Sequence, residues 1–380
     1  MSIGFQEPCK EDRPMDRRSF IKRSVATGAA AAATTFAAPA IAEGRIEWRL
    51  ITSWPKNFPG LGTTAERLAQ KITRMSGGRL TVKLYAADEL VPAFGVFDAV
   101  QQGAAEAYHS AAYYYGGKHP ALNFYTSVPF GMYAPEHMAW WLYGDGEKLQ
   151  DELYAPFGIK AIPAANTSAQ AAGWFAREII GPDDLKGLKF RTAGLNGELW
   201  REAGCNVVQL PGREMFQAFQ SGMIDAAEWV GPWNDLAFGL HRLAKNYYTP
   251  GIGEGQGAVE IGIGRKHWDA LPDDLKAVVR EAAISEYQAN VSEFLIRNAS
   301  ALKALQTEHG VKVQPFPDTV NDALAKAGES VMLRLRDGGD DLLKKVWASY
   351  YGFRNDCMTW TRHAEQPYLN ARAKGPAFTD

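Results

Sequence analysis

Cysteine is scarce in this 380-residue chain, with three copies at Cys9, Cys205 and Cys357. There is no Cys-x-x-Cys pair and no His-Glu-x-x-His, which removes the usual thiol-redox and zinc signatures. A Gly-x-Ser-x-Gly elbow, a P-loop and a Gly-x-Gly-x-x-Gly between strand and helix are missing too. The seven histidines are scattered without ligand spacing, so each reads as a surface or core histidine. Positive charge is not in excess. Residues 1–42 carry six Lys/Arg and four Asp/Glu, which leaves 35 against 39 in the rest, a charge of −4. That balance argues against nucleic acid or an anionic membrane surface as partner. Beyond residue 42 no apolar run approaches 18 residues, so no spanning helix is expected. The spacing of Cys205 and Cys357 demands no bridge, and both are expected as buried thiols.

Present at the start are Arg17 and Arg18 ahead of Phe20, Ile21 and Lys22, then a weakly apolar run from Val25 to Ala38 and the small-residue site Ala40-Ile41-Ala42. This is the pattern of a cleaved secretory signal of twin-arginine type. It predicts a periplasmic protein whose mature chain begins near Glu43, exported already folded. Residues before Met15 read as a leader from an upstream start. Aromatics are plentiful at 12%, with 11 Trp; one use for them is to wall a ligand cleft.

The remaining ~340 residues suffice for two domains. Residues 46–51 and 80–84 alternate as strands; residues 63–75 and 94–102 have helical spacing, stopped by Gly77-Gly78 and Gly103. Strands separated by helices predict an α/β layer with a largely parallel sheet. The segment from Phe97 to Ala107 aligns without a gap to Phe216 to Ala226, with Ala99/Ala218, Gln101/Gln220, Gly103/Gly222 and Glu106/Asp225 in register. An internal duplication follows. Two similar α/β domains should face each other with the ligand between them, at the carboxyl ends of the strands. Residues 158–176 and the glycine-rich 247–263 read as extended crossings between domains, suited to a hinge. Leu271 to Gly310 reads as one bridging helix of about 55 Å, and a second helix runs from about Val320 to Leu335. The tail from Leu342 to Asn370 holds Trp347, Tyr350, Tyr351, Phe353, Trp360 and Tyr368, a surface expected to dock on another subunit. The boundaries expected are residues 43–165 for domain I with part of 255–270 returning to it, 166–254 for domain II, 271–310 for the bridge, and 311–380 for the C-terminal helices and dimerisation tail.

Leu185 to Arg191, with Asp184 before it, resembles the strand motif of extracytoplasmic solute receptors of tripartite ATP-independent periplasmic (TRAP) transporters. The likeness extends from Trp48 to the aromatic tail. It implies the two-domain fold of type II periplasmic binding proteins and no enzyme activity. It makes Arg191 the clamp for a solute carboxylate, through a bidentate pair. Ser221 to Pro232 resembles the dimeric subgroup that holds 2-oxo and 2-hydroxy monocarboxylates with a cation. Carried over, Glu228 offers the cation a carboxylate, and Trp229 gives the cation its backbone carbonyl and the ligand its indole face. Gln170 touches cation and solute, and Glu254 completes the set. Oxygen donors of these kinds suit a hard cation, and two glutamates beside an anion need one between them.

The resemblance implies no catalytic cofactor, a bound cation, a homodimer and TRAP membrane permease subunits as partners. Sodium is favoured over calcium, since no aspartate-rich loop is present. Alternatives left open are lactate or another 2-hydroxy acid with calcium, and a twin-arginine-exported enzyme, for which no cofactor motif is found. The directions of Trp54, Tyr113, Tyr114, Tyr115 and Trp233, which bear on pocket size, are not set by the sequence.

Overall fold

Buried Trp48 and Leu50 alternate with exposed Glu47 and Arg49 along the first strand, whose last residues Ile51 and Thr52 are buried as well. This strand opens a computed structural model that describes residues 44–376; the twin-arginine signal and its cleavage site lie outside the described residues. Lobe I contains β1 (Ile46–Thr52), α1 (Leu61–Met75), β2 (Leu80–Tyr85), α2 (Val96–Gln101), β3 (Ala107–Ser110), α3 (Ala134–Tyr143), α4 (Gly146–Tyr154) and β4 (Ile159–Asn166). Lobe II contains β5 (Gly173–Phe175), β6 (Lys189–Arg191), α5 (Gly194–Glu202), β7 (Asn206–Val208), α6 (Gly212–Gln220), β8 (Ala226–Ala227), α7 (Pro232–Phe238) and β9 (Asn246–Tyr248). The chain then returns to lobe I as β10 (Ala258–Gly264) and α8 (Arg265–Asp269). There follow α9 (Asp273–Thr307), β11 (Lys312–Gln314), α10 (Asp318–Gly338), α11 (Asp341–Thr361) and α12 (Glu365–Ala373).

The two sheets have the same plan. Sheet I runs β2-β1-β3-β10-β4, and sheet II, read from its far edge, runs β7-β6-β8-β5-β9-β11. In each, three strands are parallel and the fourth is antiparallel, supplied by a chain that has crossed from the other lobe. The sheets are therefore mixed rather than largely parallel. The sequence pattern tells strand from helix but not which lobe a returning strand joins. The repeated segment occupies equivalent places. Helices α2 and α6 end at Gly103 and Gly222, at φ 79° and 73°, the left-handed turn that glycine enters freely. Glu106 then accepts the Arg49 amide at 2.7 Å, and Asp225 accepts the Lys189 amide at 3.1 Å. The same acidic position thus ties the last strand of the unit to its first in both lobes.

Strand β4 is buried along all eight residues. Its Pro163 has no amide hydrogen, and the pairing with β10 slips there, as an edge strand tolerates. The bridging helix α9 has 35 residues, about 52 Å at 1.5 Å per residue. Its Glu286 holds α1 through Arg67 at 2.8 Å and Lys71 at 2.7 Å. Strand β11, within the stretch expected as tail, pairs with β9 and extends sheet II.

The aromatic tail departs from its expected role over its first half. Tyr350 is buried in the lobe I core, and Trp347, Tyr351 and Phe353 pack against that core. These rings cover the chain's own hydrophobic surface because α11 lies back over α3 and α4. Only Trp360, Tyr368 and Leu369 stay widely exposed, at 66%, 65% and 49%. Cys205 is buried as expected, whereas Cys357 on α11 is half-buried; both are free thiols. No helix among the described residues is long and apolar enough to cross a membrane.

Candidate functional site

Arg191 is the last residue of β6, and the motif before it explains its placement. Asp184 accepts the amides of Ile180 and Gly181, Gly187 turns at φ 71°, and Leu185, Leu188 and Phe190 anchor in the lobe II core. The guanidinium thereby leaves the strand end into the space between the lobes, 1% exposed. Its Nε and Nη2 donate to the Leu210 carbonyl at 3.0 and 2.8 Å, and Nη1 donates to the Glu228 carbonyl at 2.6 Å. Three of the five N–H donors are so engaged, which leaves one on each terminal nitrogen, the fork that grips a carboxylate. The Trp229 ring lies 4.8 Å from Cζ.

Glu228 and Trp229 follow β8, where the Glu228 amide bonds back to the Arg191 carbonyl at 2.9 Å. The Glu228 carboxylate is 3.9 Å from Nη1, so arginine holds its backbone more closely than its charge. One carboxylate oxygen takes the Thr192 hydroxyl at 3.2 Å; the other, Oε1, has no partner. Gln170 and Glu254 stand on the two crossing segments, which run side by side. The Gln170 amide donates to the Glu254 carbonyl at 3.2 Å, and the Gly251 amide to the Gln170 carbonyl at 2.9 Å. Both oxygens of Glu254 and Oε1 of Gln170 are buried without a donor, while Gln170 Nε2 is bound to Thr167 at 2.9 Å.

Burial pushes the Glu228 carboxyl up to about 7, against the pull of Arg191. Burial and the neighbouring Glu228 hold Glu254 well above the usual carboxylate range. The structure thus brings all five predicted residues into one buried cleft, where four acceptor oxygens make no close hydrogen bond, although the Asn196 amide neighbours Glu254. Unpaired buried acceptors are costly, and a hard cation is the kind of group that satisfies several at once. No group of three or more His, Cys, Asp or Glu placed to hold a metal ion exists among the described residues. The donor set here is mixed: carboxylate, amide and carbonyl.

Trp54, Tyr113 and Tyr114 join Gln170 and Trp229 around a cavity of about 20 Å³, more than the ~10 Å³ one water requires. Trp54 is set edge-on to Trp229, with ring centroids 6.3 Å apart, and gives its indole N–H to His109 Nδ1 at 2.9 Å. Burial pushes the His109 imidazole down to about 3, so it is neutral. Tyr115 turns instead into lobe I, onto Ser110 and Phe97, and Trp233 packs on Phe294 of α9. Sequence reasoning missed Thr167, Thr192 and Leu210, which position the site residues. The Leu210 contact is through its backbone carbonyl, so its side chain carries no signal for it.

Residues 51–336 match the family model "Bacterial extracellular solute-binding protein, family 7" (DctP). A protein of Nostoc sp., named monocarboxylate 2-oxoacid-binding periplasmic protein, is 37% identical over 325 residues, covering 86% of this chain and 88% of that one. A TRAP periplasmic solute binding protein from Pseudoalteromonas atlantica, solved with bound sodium and pyruvate, is 37% identical with a TM-score of 0.83, covering 86% and 99%. One from Bordetella bronchiseptica, a mixed-occupancy dimer with copurified calcium and picolinate, is 32% identical with a TM-score of 0.85, covering 87% and 98%. A model match over most of the chain, on a fold shared with solved receptors, makes this chain a member of the DctP family of TRAP periplasmic solute-binding proteins.

Proposed function

We propose that this receptor binds a small 2-oxo monocarboxylate, of the size of pyruvate or 2-oxobutyrate, together with a cation, and delivers it to a TRAP membrane permease. The observation that carries this reading is the set of unpaired buried oxygens on Gln170, Glu228 and Glu254 beside an arginine with two free donors. Arg191 takes the solute carboxylate. Gln170, Glu228, Glu254 and the Trp229 carbonyl hold the cation, and the 2-oxo oxygen of the solute adds to its shell. With both glutamates ionised, solute at −1, two glutamates and one arginine sum to −2, a charge that a cation reduces.

Sodium is the proposed ion, in keeping with the sodium and pyruvate of the Pseudoalteromonas relative. Calcium, present in the Bordetella relative, is the second reading, and with it a 2-hydroxy acid such as lactate. The lobes, residues 43–165 with the return of 255–270 and residues 166–254, close about the crossing segments. The receptor works in the periplasm after twin-arginine export and forms a homodimer through the C-terminal tail. Calorimetric titration of pyruvate, 2-oxobutyrate, lactate and succinate, each with sodium, with calcium and with neither, tests the proposal. Tight binding of the first two only with a cation is expected; equal binding without one overturns it.

A further inference from the structure

A carboxylate outside the proposed binding set holds the loop that carries Glu228 and Trp229. Asp235 on α7 is fully buried. Its Oδ1 accepts the amides of Val230 at 3.4 Å and Gly231 at 3.3 Å. Its Oδ2 accepts the Trp174 indole N–H at 3.0 Å and the Tyr247 hydroxyl at 2.9 Å. All four partners donate, so both side-chain oxygens must accept; a carboxylate does this and an amide does not. Burial pushes the acid up to about 6, which leaves it ionised at neutral pH.

The amide of Val230 and the carbonyl of Trp229 belong to one planar peptide unit, and in a trans peptide they point in opposite directions. The single cis bond among the described residues is Thr249–Pro250. Anchoring the Val230 N–H on Asp235 therefore turns the Trp229 carbonyl away from it. That carbonyl accepts no hydrogen bond from the described residues. The next peptide is fixed as well, because Ala171, beside Gln170, donates to the Val230 carbonyl at 2.9 Å. A negative charge bonded to the N–H end of a peptide also polarises its carbonyl, the cooperative effect of linked hydrogen bonds.

We infer that Asp235 is a positioning residue for the cation: it aims the Trp229 carbonyl at the ion and strengthens it as a ligand. The inference rests on the cation set proposed above. A purely architectural Asp235 affects stability alone, whereas a positioning Asp235 affects cation binding apart from stability. The variants are Asp235→Asn and Asp235→Asn with Trp174→Phe. The Tyr247 hydroxyl can turn to accept from the introduced amide, but the Trp174 indole N–H can only donate. The second change removes that opposing donor, so the double variant carries the measurement if the single variant does not fold.

Sodium chloride and calcium chloride are titrated calorimetrically in the presence of pyruvate, pyruvate is titrated at saturating salt, and melting is followed without cation. The apparent cation dissociation constant is expected to rise about tenfold in both variants, the scale of one well-made contact. Pyruvate affinity at saturating cation is expected to stay within about threefold. A double variant that regains both stability and cation affinity overturns the proposal, as does either variant with parental cation affinity. A parent that binds pyruvate with no cation dependence overturns the cation reading itself, and this proposal with it.

Discussion

Arg191, the proposed clamp for the solute carboxylate, is held in place by its neighbours. Two carbonyls, those of Leu210 and Glu228, hold three of its N–H groups, and a ring lies against its face. Lysine at this position keeps the charge and loses the planar fork. Arg191→Lys is expected to lower affinity for the acid about ten- to a hundredfold, or roughly 1.5–3 kcal/mol, in a calorimetric titration. A second buried group gives a test of pH dependence. Glu260 lies in the lobe I core, accepts the hydroxyls of Tyr108 and Tyr154 and the Gln150 amide, and is pushed by burial from 4.5 up to about 7. A carboxyl raised on folding contributes stability that is complete below its unfolded pKa and lost as pH rises through the folded one. Glu260→Gln keeps the packing and removes the titration. Between about pH 4.5 and 7 the parent should lose up to about 3 kcal/mol more unfolding free energy than the variant; parallel denaturant curves at all pH values would contradict this. The placement of Arg191 at a strand end in the cleft was legible because its motif is local. Thr192, Asp235 and the Leu210 carbonyl were not, since each acts through a contact that pattern and spacing do not encode.

The two crossing segments bring the proposed ligands Gln170 and Glu254 together through backbone hydrogen bonds. Glycine at 257 leaves room for the Gln170 side chain. An added Cβ there overlaps Gln170 Nε2 and sits 2.7 Å from Thr167 Oγ1. Gly257→Ala should therefore weaken acid binding about tenfold while thermal stability shifts by less than about 1 kcal/mol. Parental affinity in that variant would remove Gln170 from the site. The long periodic helices were legible to within a few residues; the bridge read as Leu271 to Gly310 forms as Asp273–Thr307. The strands of lobe II were mostly not, because β5, β6, β7, β8 and β9 have two or three residues each, too few for a period of two to stand out. Sheet polarity was misread because β10 and β5 are lent between lobes, and pattern alone does not specify a lender.

At the scale of the whole molecule the lobes are in contact across the cleft, with the Tyr113 ring 2.5 Å from the space a side chain at Gly194 would fill. This is a closed arrangement, and hinge closure on binding is the expected motion. Solution scattering should give a larger radius without solute and cation than with both; identical curves at saturation would exclude closure. Trp360, Tyr368 and Leu369 are exposed, and an apolar groove of about 430 Å³ is lined by Phe130, by Gly328 and Met332 of α10 and by Trp347 and Tyr351 of α11. Removing residues from Ala364 onward is expected to give soluble monomers in the ultracentrifuge. Removal from Gly338 strips Val346 and Tyr350 from the lobe I core and is expected to give insoluble protein. A truncation at 364 that leaves the full-length assembly state unchanged rules out the tail as the interface. The lending of strands also constrains the order of assembly during synthesis. Until residue 264 has emerged, β3 and β4 have no β10 between them, and β4 has no partner in sheet I. The first lobe cannot finish folding while the second is being made. Its closure depends on contacts about 150 residues apart, the kind that slow folding by loop entropy. The nascent chain must stay incomplete until most of it exists, so a ribosome stalled within lobe II should present a protease-sensitive first lobe.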